Sequence, residues 1–361
     1  MQKHNNFRSA NLAKGLLREI EELNQGRKTR IVHVCGTHED TISSHGLRAV
    51  LPKEIQLVAG PGCPVCVCAA EDVDRAVELV KRGHIVATFG DMIRVPSTDS
   101  SLMKERSKGG DVRVVYGVND AVEIAKKNPD RDVIFIGVGF ETTAPTMAIE
   151  LLKSPPDNFS ILTSLKVIPP AMELLVKQEG FAVDGFVTPG HVSAIIGTNA
   201  FQSIAETHKV PCVAAGFEPL DMLEAIRMIL LQIKDGRAES ENEYRRVVRP
   251  EGNIAAQNAL NKAFSIGDAP WRGLGIIPDS GMFIREEYSK YDAGKKYDFP
   301  PMKSIDILPG CVCHKVILGI TDPTECALFG KRCTPSDPYG PCMVGHEGTC
   351  RIRHESGGLY R

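Results

Sequence analysis

The sequence has no apolar run approaching the roughly 20 residues that a membrane-spanning helix needs, which argues against an integral helical membrane protein. An excess of one charge sign is also missing: 43 Lys and Arg stand against 45 Asp and Glu, a net charge of −2. No overall field therefore draws the chain to nucleic acid or to an anionic membrane. Aromatic residues make up 6%, and Trp271 is the one tryptophan, so platforms for stacking bases are not indicated. No GxxxxGK[ST] segment exists to cradle phosphates. The first 26 residues, MQKHNNFRSANLAKGLLREIEELNQG, are polar and lack an apolar core, so no signal peptide is expected and the protein is read as cytoplasmic.

What the chain does have is cysteine, eleven in 361 residues. A reducing cytosol disfavours structural disulfides. Metal binding or redox chemistry then accounts for so many clustered thiols. The hydrophobic fraction of 42% supports a sizeable core, and the length predicts two or three domains.

Leu12, Leu16, Leu17, Ile20 and Leu23 recur at helical spacing and predict an amphipathic N-terminal helix. Short β-branched runs follow at 30–34, 55–59, 84–89, 112–116, 132–138, 161–165, 185–188 and 210–215. Helical patterns separate them at 71–82, 119–128, 143–153, 170–179 and 220–234. That alternation predicts βαβ units and parallel sheets. The expected fold is α/β, two Rossmann-like lobes facing a cleft, followed by an irregular cysteine-rich domain. The expected divisions are 1–25, a helix packing on the third domain; 26–120, lobe one; 121–235, lobe two; and 236–361, the third domain.

The distinctive segments sit at strand ends: CGTHE (35–39), GPGCPVCVC (60–68), GDMIRVPS (90–97), GFETTAP (139–145), PGHVS (189–193) and GFEP (216–219). Parallel sheets bind ligands in the crevice at the carboxyl ends of their strands, so these six loops predict one shared cleft. Cys35 lies beside Thr37, His38 and Glu39, a setting that can make a thiol a ligand or a nucleophile. Cys63 and Cys66 form a CxxC, either a redox dithiol or half of a metal site. Zinc, iron and copper(I) all remain open for Cys35, His38, Cys63 and Cys66. Cys68, two residues on, either adds to the metal reading or simply packs, and Cys212 is expected in the core. Asp91, Glu141 and His191 are candidate acid–base groups or hydrogen-bond partners, and Glu39 and Glu218 are weaker ones.

The tail holds Cys311, Cys313, Cys326, Cys333, Cys342 and Cys350 within forty residues. Four thiolates suffice for a 4Fe-4S cluster or a zinc site. The double CxxC of zinc ribbons is missing, which favours iron–sulfur. His314 and His346 are alternates, but are expected to be loose surface histidines.

CGTHE, GPGCPVCV, GFETTAP, PGHVS and the closing cysteine array, in that order, resemble the HypD family of nickel–iron hydrogenase maturation proteins, from about residue 9 to the C-terminus. The resemblance implies a scaffold, a monomer on its own, that assembles the Fe(CN)2CO group with a HypC-like small chaperone. Cyanide would come from a HypE-like donor, and the product would pass to the hydrogenase large-subunit precursor. By motif position, Cys35 would bind the iron fragment and Cys63 and Cys66 would form the second thiol element. Thr37 and His38 would support them. Cys311, Cys326, Cys333 and Cys350 would hold a 4Fe-4S cluster, with Cys313 and Cys342 as a redox pair similar to that of ferredoxin–thioredoxin reductase. The competing expectations are an autonomous iron–sulfur thiol/disulfide oxidoreductase and a zinc-stapled α/β binding protein.

Overall fold

The computed structural model describes residues 6–356. Eleven strands are found among them: β1 (Thr29–His33), β2 (Ile55–Ala59), β3 (Ile85–Thr88), β4 (Val112–Val114), β5 (Val133–Gly139), β6 (Phe159–Lys166), β7 (Gly185–Pro189), β8 (Cys212–Ala215), β9 (Ser240–Asn242), β10 (Phe264–Trp271) and β11 (Gly275–Ile284). The first eight fall where β-branched runs alternate with helical patterns in the sequence. β5 shows why: all seven of its residues are buried, as in a strand covered by helices on both faces, where an apolar run replaces alternation.

The strands form two sheets. One is wholly parallel, in the order β2-β1-β7-β8-β9. The other has the order β10-β11-β6-β5-β3-β4, parallel from β6 to β4 and antiparallel from β6 to β10. This is a mixed α/β protein with Rossmann-like lobes, but a boundary at residue 120 does not describe it. β3 and β4 lie beside β5 and β6, while β1 and β2 lie beside β7 and β8. The chain leaves the first sheet after β2 and returns to it at β7. Hydrophobic patterning reports which residues are buried, not which strands they are buried beside, so the crossing leaves no local signal.

Two further expectations are corrected. The N-terminal helix Ala10–Asn24 packs on the helix Pro219–Lys234 of the first lobe, not on the cysteine-rich segment. Ile20 is fully buried there, with Leu16, Leu17 and Leu23 beside it. The third domain is also smaller than 236–361. β9 completes the first sheet and the β10–β11 hairpin extends the second. The hairpin turns through Gly273 at φ +72° and carries a register shift between Gly267 and Ala269. Glycine and proline at these positions hid its strands in the sequence.

The carboxyl ends of the strands position the loops. In the first sheet the chain goes from β1 out to β2 on one side and resumes with β7 on the other. That reversal is a switch point, where doubly wound sheets open a crevice. The loops after β1 (CGTHE) and β7 (PGHVS) flank it. In the second sheet the reversal lies between β3 and β5, flanked by GDMIRVPS and GFETTAP. The cysteine-rich segment closes on this end of the molecule: the helix Thr349–Glu355 packs on the helix Gly36–Ser44, and the turn Pro341–Met343 packs on Pro64–Val67. One apolar core joins Val32, Val34, Cys63 and Cys66 of the first lobe to Trp271, Cys313, Cys342 and Cys350.

The docking of the N-terminal helix predicts two opposite effects on the denaturation midpoint. Ile20→Ala should lower stability by about 2–5 kcal/mol through the cavity it leaves. Gly15→Ala, where nothing lies within 4 Å of an added Cβ, should raise it by up to about 1 kcal/mol.

Candidate functional site

Cys35 lies two residues beyond β1 and is the extended N-cap residue of the helix Gly36–Ser44. Its sulfur faces the amides of His38 and Thr37 and the Thr37 hydroxyl, the donor end of a helix. Burial nevertheless pushes the thiol up to about 11, and the nearby Glu347 carboxylate raises it further. Cys35 is therefore a neutral thiol at pH 7. The loop after β2 lies against it: the Gly36 amide donates to the Gly62 carbonyl at 3.3 Å. A Cβ on Gly62 would collide with the Cys35 amide nitrogen and the Val34 carbonyl.

Cys63 is the N-cap residue of the short helix Pro64–Val67 and is joined to Cys66 by a disulfide. The Cys66 amide donates to the Cys63 sulfur at 3.2 Å. With that disulfide formed, neither sulfur is a thiolate ligand. Cys68 and Cys212 are fully buried, with thiols raised by burial to about 11 and about 12.

His38 does not face Cys35. Its Nε2 donates to the carbonyls of Gly216 at 3.1 Å and Ala215 at 3.3 Å, and its Nδ1 is buried without a partner. Burial, reinforced by His33, lowers its pKa to about 3, so the ring stays neutral. It joins CGTHE to GFEP, with Phe217 at 5.1 Å between ring centroids. Phe217 in turn stacks on His191 of PGHVS at 4.1 Å. Burial also holds His191 below its ordinary pKa. Glu39 is fully buried. Burial alone would raise its pKa, but Arg48 and His33 outweigh that and hold it well below the usual carboxylate range. It accepts from Arg48 at 2.6 and 2.9 Å, and from His33 at 2.9 Å. Glu39 is thus a structural anchor of the helix rather than an open acid.

Glu141 turns to the neighbouring helix. Its Oε1 accepts from the Ile168 amide at 2.9 Å, at the start of the helix Ile168–Val176, while its Oε2 is buried without a partner. Burial pushes its carboxyl up to about 7. Glu218 pairs at the surface with Arg8 at 2.6 Å.

Two residues that the sequence did not single out complete the site. Glu347 accepts from the Thr37 hydroxyl at 3.3 Å and is raised by desolvation and by Asp91. It brings GDMIRVPS into the neighbourhood of Cys35. Arg272 is buried, donates to the Pro96 carbonyl through both Nη atoms at 3.2 Å, and stabilises the anions of Cys68 and Cys313. Their only sequence signal is position: Glu347 falls between two cysteines, and Arg272 follows the sole tryptophan.

The six C-terminal cysteines line one almost wholly apolar pocket. Their thiols lean on one another. Cys313 takes hydrogen bonds from Cys311 and Cys342, which lower it, while Cys342 also contacts Cys350. Cys311 and Cys342 are raised in return. Cys333 accepts from the Tyr339 amide at 3.4 Å and is raised by burial. Among the described residues, no group of three or more Cys, His, Asp or Glu side chains is drawn together as the ligands of one metal ion. The donor set nonetheless suits an iron–sulfur cluster in kind and number, with soft thiolates and apolar walls. His346 is exposed and His314 is half-buried.

Fold and site together define an α/β protein of two Rossmann-like lobes that gathers a buried single thiol, a CxxC disulfide and a six-cysteine pocket at one end. Residues 11–357 match the family described as "HypD: Hydrogenase formation hypA family". The chain is 48% identical over 328 residues to a protein of Methanocaldococcus jannaschii named for hydrogenase expression and formation, covering 90% of this chain and 91% of the relative. It is 40% identical to hydrogenase maturation factor HypD2 of Bradyrhizobium diazoefficiens over 374 residues, covering 100% of this chain and 98% of the relative. Hydrogenase maturation factor HypD of Escherichia coli K12 is 40% identical over 329 residues, covering 90% of this chain and 88% of the relative. The chain belongs to the HypD family.

The buried groups predict opposed pH effects. His38 has a folded pKa of about 3 against 6.5, so only the unfolded chain gains its proton as pH falls below 6.5. Glu141 is raised from 4.5 to about 7, so the folded chain holds the extra proton in between and loses that advantage as pH rises. In denaturation series, wild type should lose stability relative to His38→Gln as pH drops from about 7 to about 5. It should lose stability relative to Glu141→Gln as pH climbs over the same span, each by at most about 1.4 kcal/mol per pH unit.

Proposed function

We propose that this HypD-family protein is the scaffold on which the Fe(CN)2CO group of nickel–iron hydrogenase is assembled, with Cys35 as the anchor for the iron fragment it carries. The observation that carries this reading is the convergence of CGTHE, the CPVC loop and Glu347 around one buried thiol. A thiol held at high pKa resists oxidation and is a poor nucleophile. A metal cation is what displaces its proton, because the cation's charge inverts the local electrostatics. The Thr37 and His38 amides then face the resulting sulfur anion. Thr37 also orients Glu347, a carboxylate within reach of the released proton.

The partners follow from the family. A HypC-like small chaperone would share the iron fragment, a HypE-like protein would donate cyanide, and the hydrogenase large-subunit precursor would receive the product. Cys63 and Cys66 would border the fragment as the second thiol element, with His38 holding the CGTHE helix to the GFEP loop from behind. Cys311, Cys326, Cys333 and Cys350 would hold a 4Fe-4S cluster, which supplies single electrons when bound. Cys313 and Cys342, in thiol contact here, would be the redox pair beside it.

One observation favours a second reading. An oxidised CPVC pair together with a Cys313–Cys342 contact is also what an autonomous iron–sulfur thiol/disulfide oxidoreductase would need. The two readings part at Cys35, which the oxidoreductase does not require.

Anaerobic purification with and without the HypC-like partner, followed by infrared spectroscopy and metal analysis, tests the scaffold. Wild type should carry CN and CO stretches and iron beyond four per chain. Cys35→Ala should lose the stretches and keep the cluster's colour. If the stretches survive in the Ala variant, Cys35 is not the anchor; turnover of a disulfide substrate without partners would favour the oxidoreductase.

A further inference from the structure

Near the buried thiol of Cys68, β6 ends in a lysine that no counter-ion pairs. Lys166 is 3% exposed, and its ammonium, which makes no side-chain hydrogen bond or ion pair, keeps contact with solvent only through the cavity it lines. Asp72, in the first turn of the helix Ala70–Lys81, is 7% exposed, and its carboxylate is likewise unpartnered. Buried charges are as a rule paired, because desolvation is costly otherwise. These two do not pair with each other. Both line one cavity of about 280 Å³.

The cavity has a definite chemistry. Lys166 offers an ammonium donor on one side. Asp72 and Asp292 offer carboxylates, and Thr163 adds a hydroxyl. Asp292 is half-buried, and one of its oxygens caps the Gly294 amide at 2.9 Å. Leu162 and Met282, both almost fully buried, supply apolar wall. The rim charges are already engaged: Glu71 holds Arg75, and Asp268 accepts from the Asp279 amide at 3.1 Å. The site lies at the carboxyl end of β6, where the parallel part of the second sheet meets the antiparallel hairpin. Strand carboxyl ends of this kind are where α/β sheets place ligands.

A cation alone would meet the lysine, and an anion alone would meet the carboxylates. A ligand carrying both charges a few ångströms apart satisfies both walls. The volume is below the roughly 300–1,000 Å³ of pockets for drug-sized ligands. We propose that this cavity binds a small zwitterion of the free α-amino acid class, its carboxylate on Lys166 and its ammonium on Asp72 and Asp292. The site is independent of the iron-assembly reading and survives its failure.

The test uses the intact protein in thermal-shift and calorimetric titrations with each of the proteinogenic L-amino acids at millimolar concentration. At least one should bind saturably. Its N-acetyl derivative, which lacks the ammonium, and its C-terminal amide, which lacks the carboxylate, should each bind roughly tenfold or more weakly. Lys166→Met should fold, because an apolar isostere replaces an unpaired buried charge, and should lose the binding. The blocked derivatives carry the test on wild type alone if that variant is unstable. Saturable binding by none of the amino acids would mean that the cavity holds only water, and would overturn the proposal. Equal binding of a blocked derivative and its parent would do the same.

Discussion

Where the loop after β2 crosses the loop after β1, backbone lies directly on backbone. Gly62 sits against the Val34 carbonyl and the Cys35 amide, with no room for a side chain. The rest of the thiol site depends on that approach. It puts the CPVC helix beside the start of the CGTHE helix, so the Cys35 thiol and the Cys63–Cys66 disulfide follow two neighbouring strands of one parallel sheet. A second close approach fixes the other wall. A Cβ on Gly36 would overlap Glu347, and one on Gly348 would overlap the Cys342 carbonyl. In a close-packed interior such contacts transmit displacement rather than absorb it. Cys342 is therefore in mechanical contact with the first turn of the Cys35 helix through two glycine positions.

The electrostatics set several of the cysteines apart from one another. Burial raises Cys35, Cys68 and Cys212 alike, yet only Cys35 faces the donor end of a helix that lies at a sheet's switch point. Cys68 and Cys212 are core. In the C-terminal pocket the balance reverses for one thiol: hydrogen bonds from Cys311 and Cys342, with Arg272 nearby, overcome burial and lower Cys313. Cys313 is accordingly the thiol of that pocket whose anion its surroundings favour, whereas burial keeps Cys35 protonated.

The elements were largely legible in the sequence because each buries a periodic apolar face. β5 reads as a strand from its continuous apolar run, and the helix Ala70–Lys81 from its three-to-four-residue spacing. The grouping of strands into sheets was not legible, since pairing is decided by where the chain crosses, far from any one segment. The loops at strand ends were read as one site, and CGTHE, GPGC, PGHVS, GFEP and GDMIRVPS are indeed linked by contacts. GFETTAP joins them only through its apolar side: Phe140 packs in the core with Cys63 and Cys66, while Glu141 turns toward the amide of Ile168. The direction of His38 follows from helix geometry. With Cys35 at the N-cap, the amides of the next residues point back at the sulfur while their side chains radiate outward. A histidine three residues after a capping cysteine is then poorly placed to be its base.

That geometry has a consequence for how CGTHE works. With His38 neutral and bound to the Ala215 and Gly216 carbonyls, and Glu39 locked between His33 and Arg48, the polar residues after Cys35 hold the helix in place rather than activate the thiol. The His33–Glu39–Arg48 set compensates a fully buried carboxylate, and deleting one partner would leave a charge uncompensated. The helix N-terminus is thereby fixed against β1 and β8 before any ligand arrives. Preorganised amides of this kind stabilise a developing anion without rearranging at the moment it forms. Sequence proximity of a histidine to a cysteine thus misleads about chemistry while reporting correctly on importance: the same five residues that fail to make a nucleophile make a rigid socket for one sulfur.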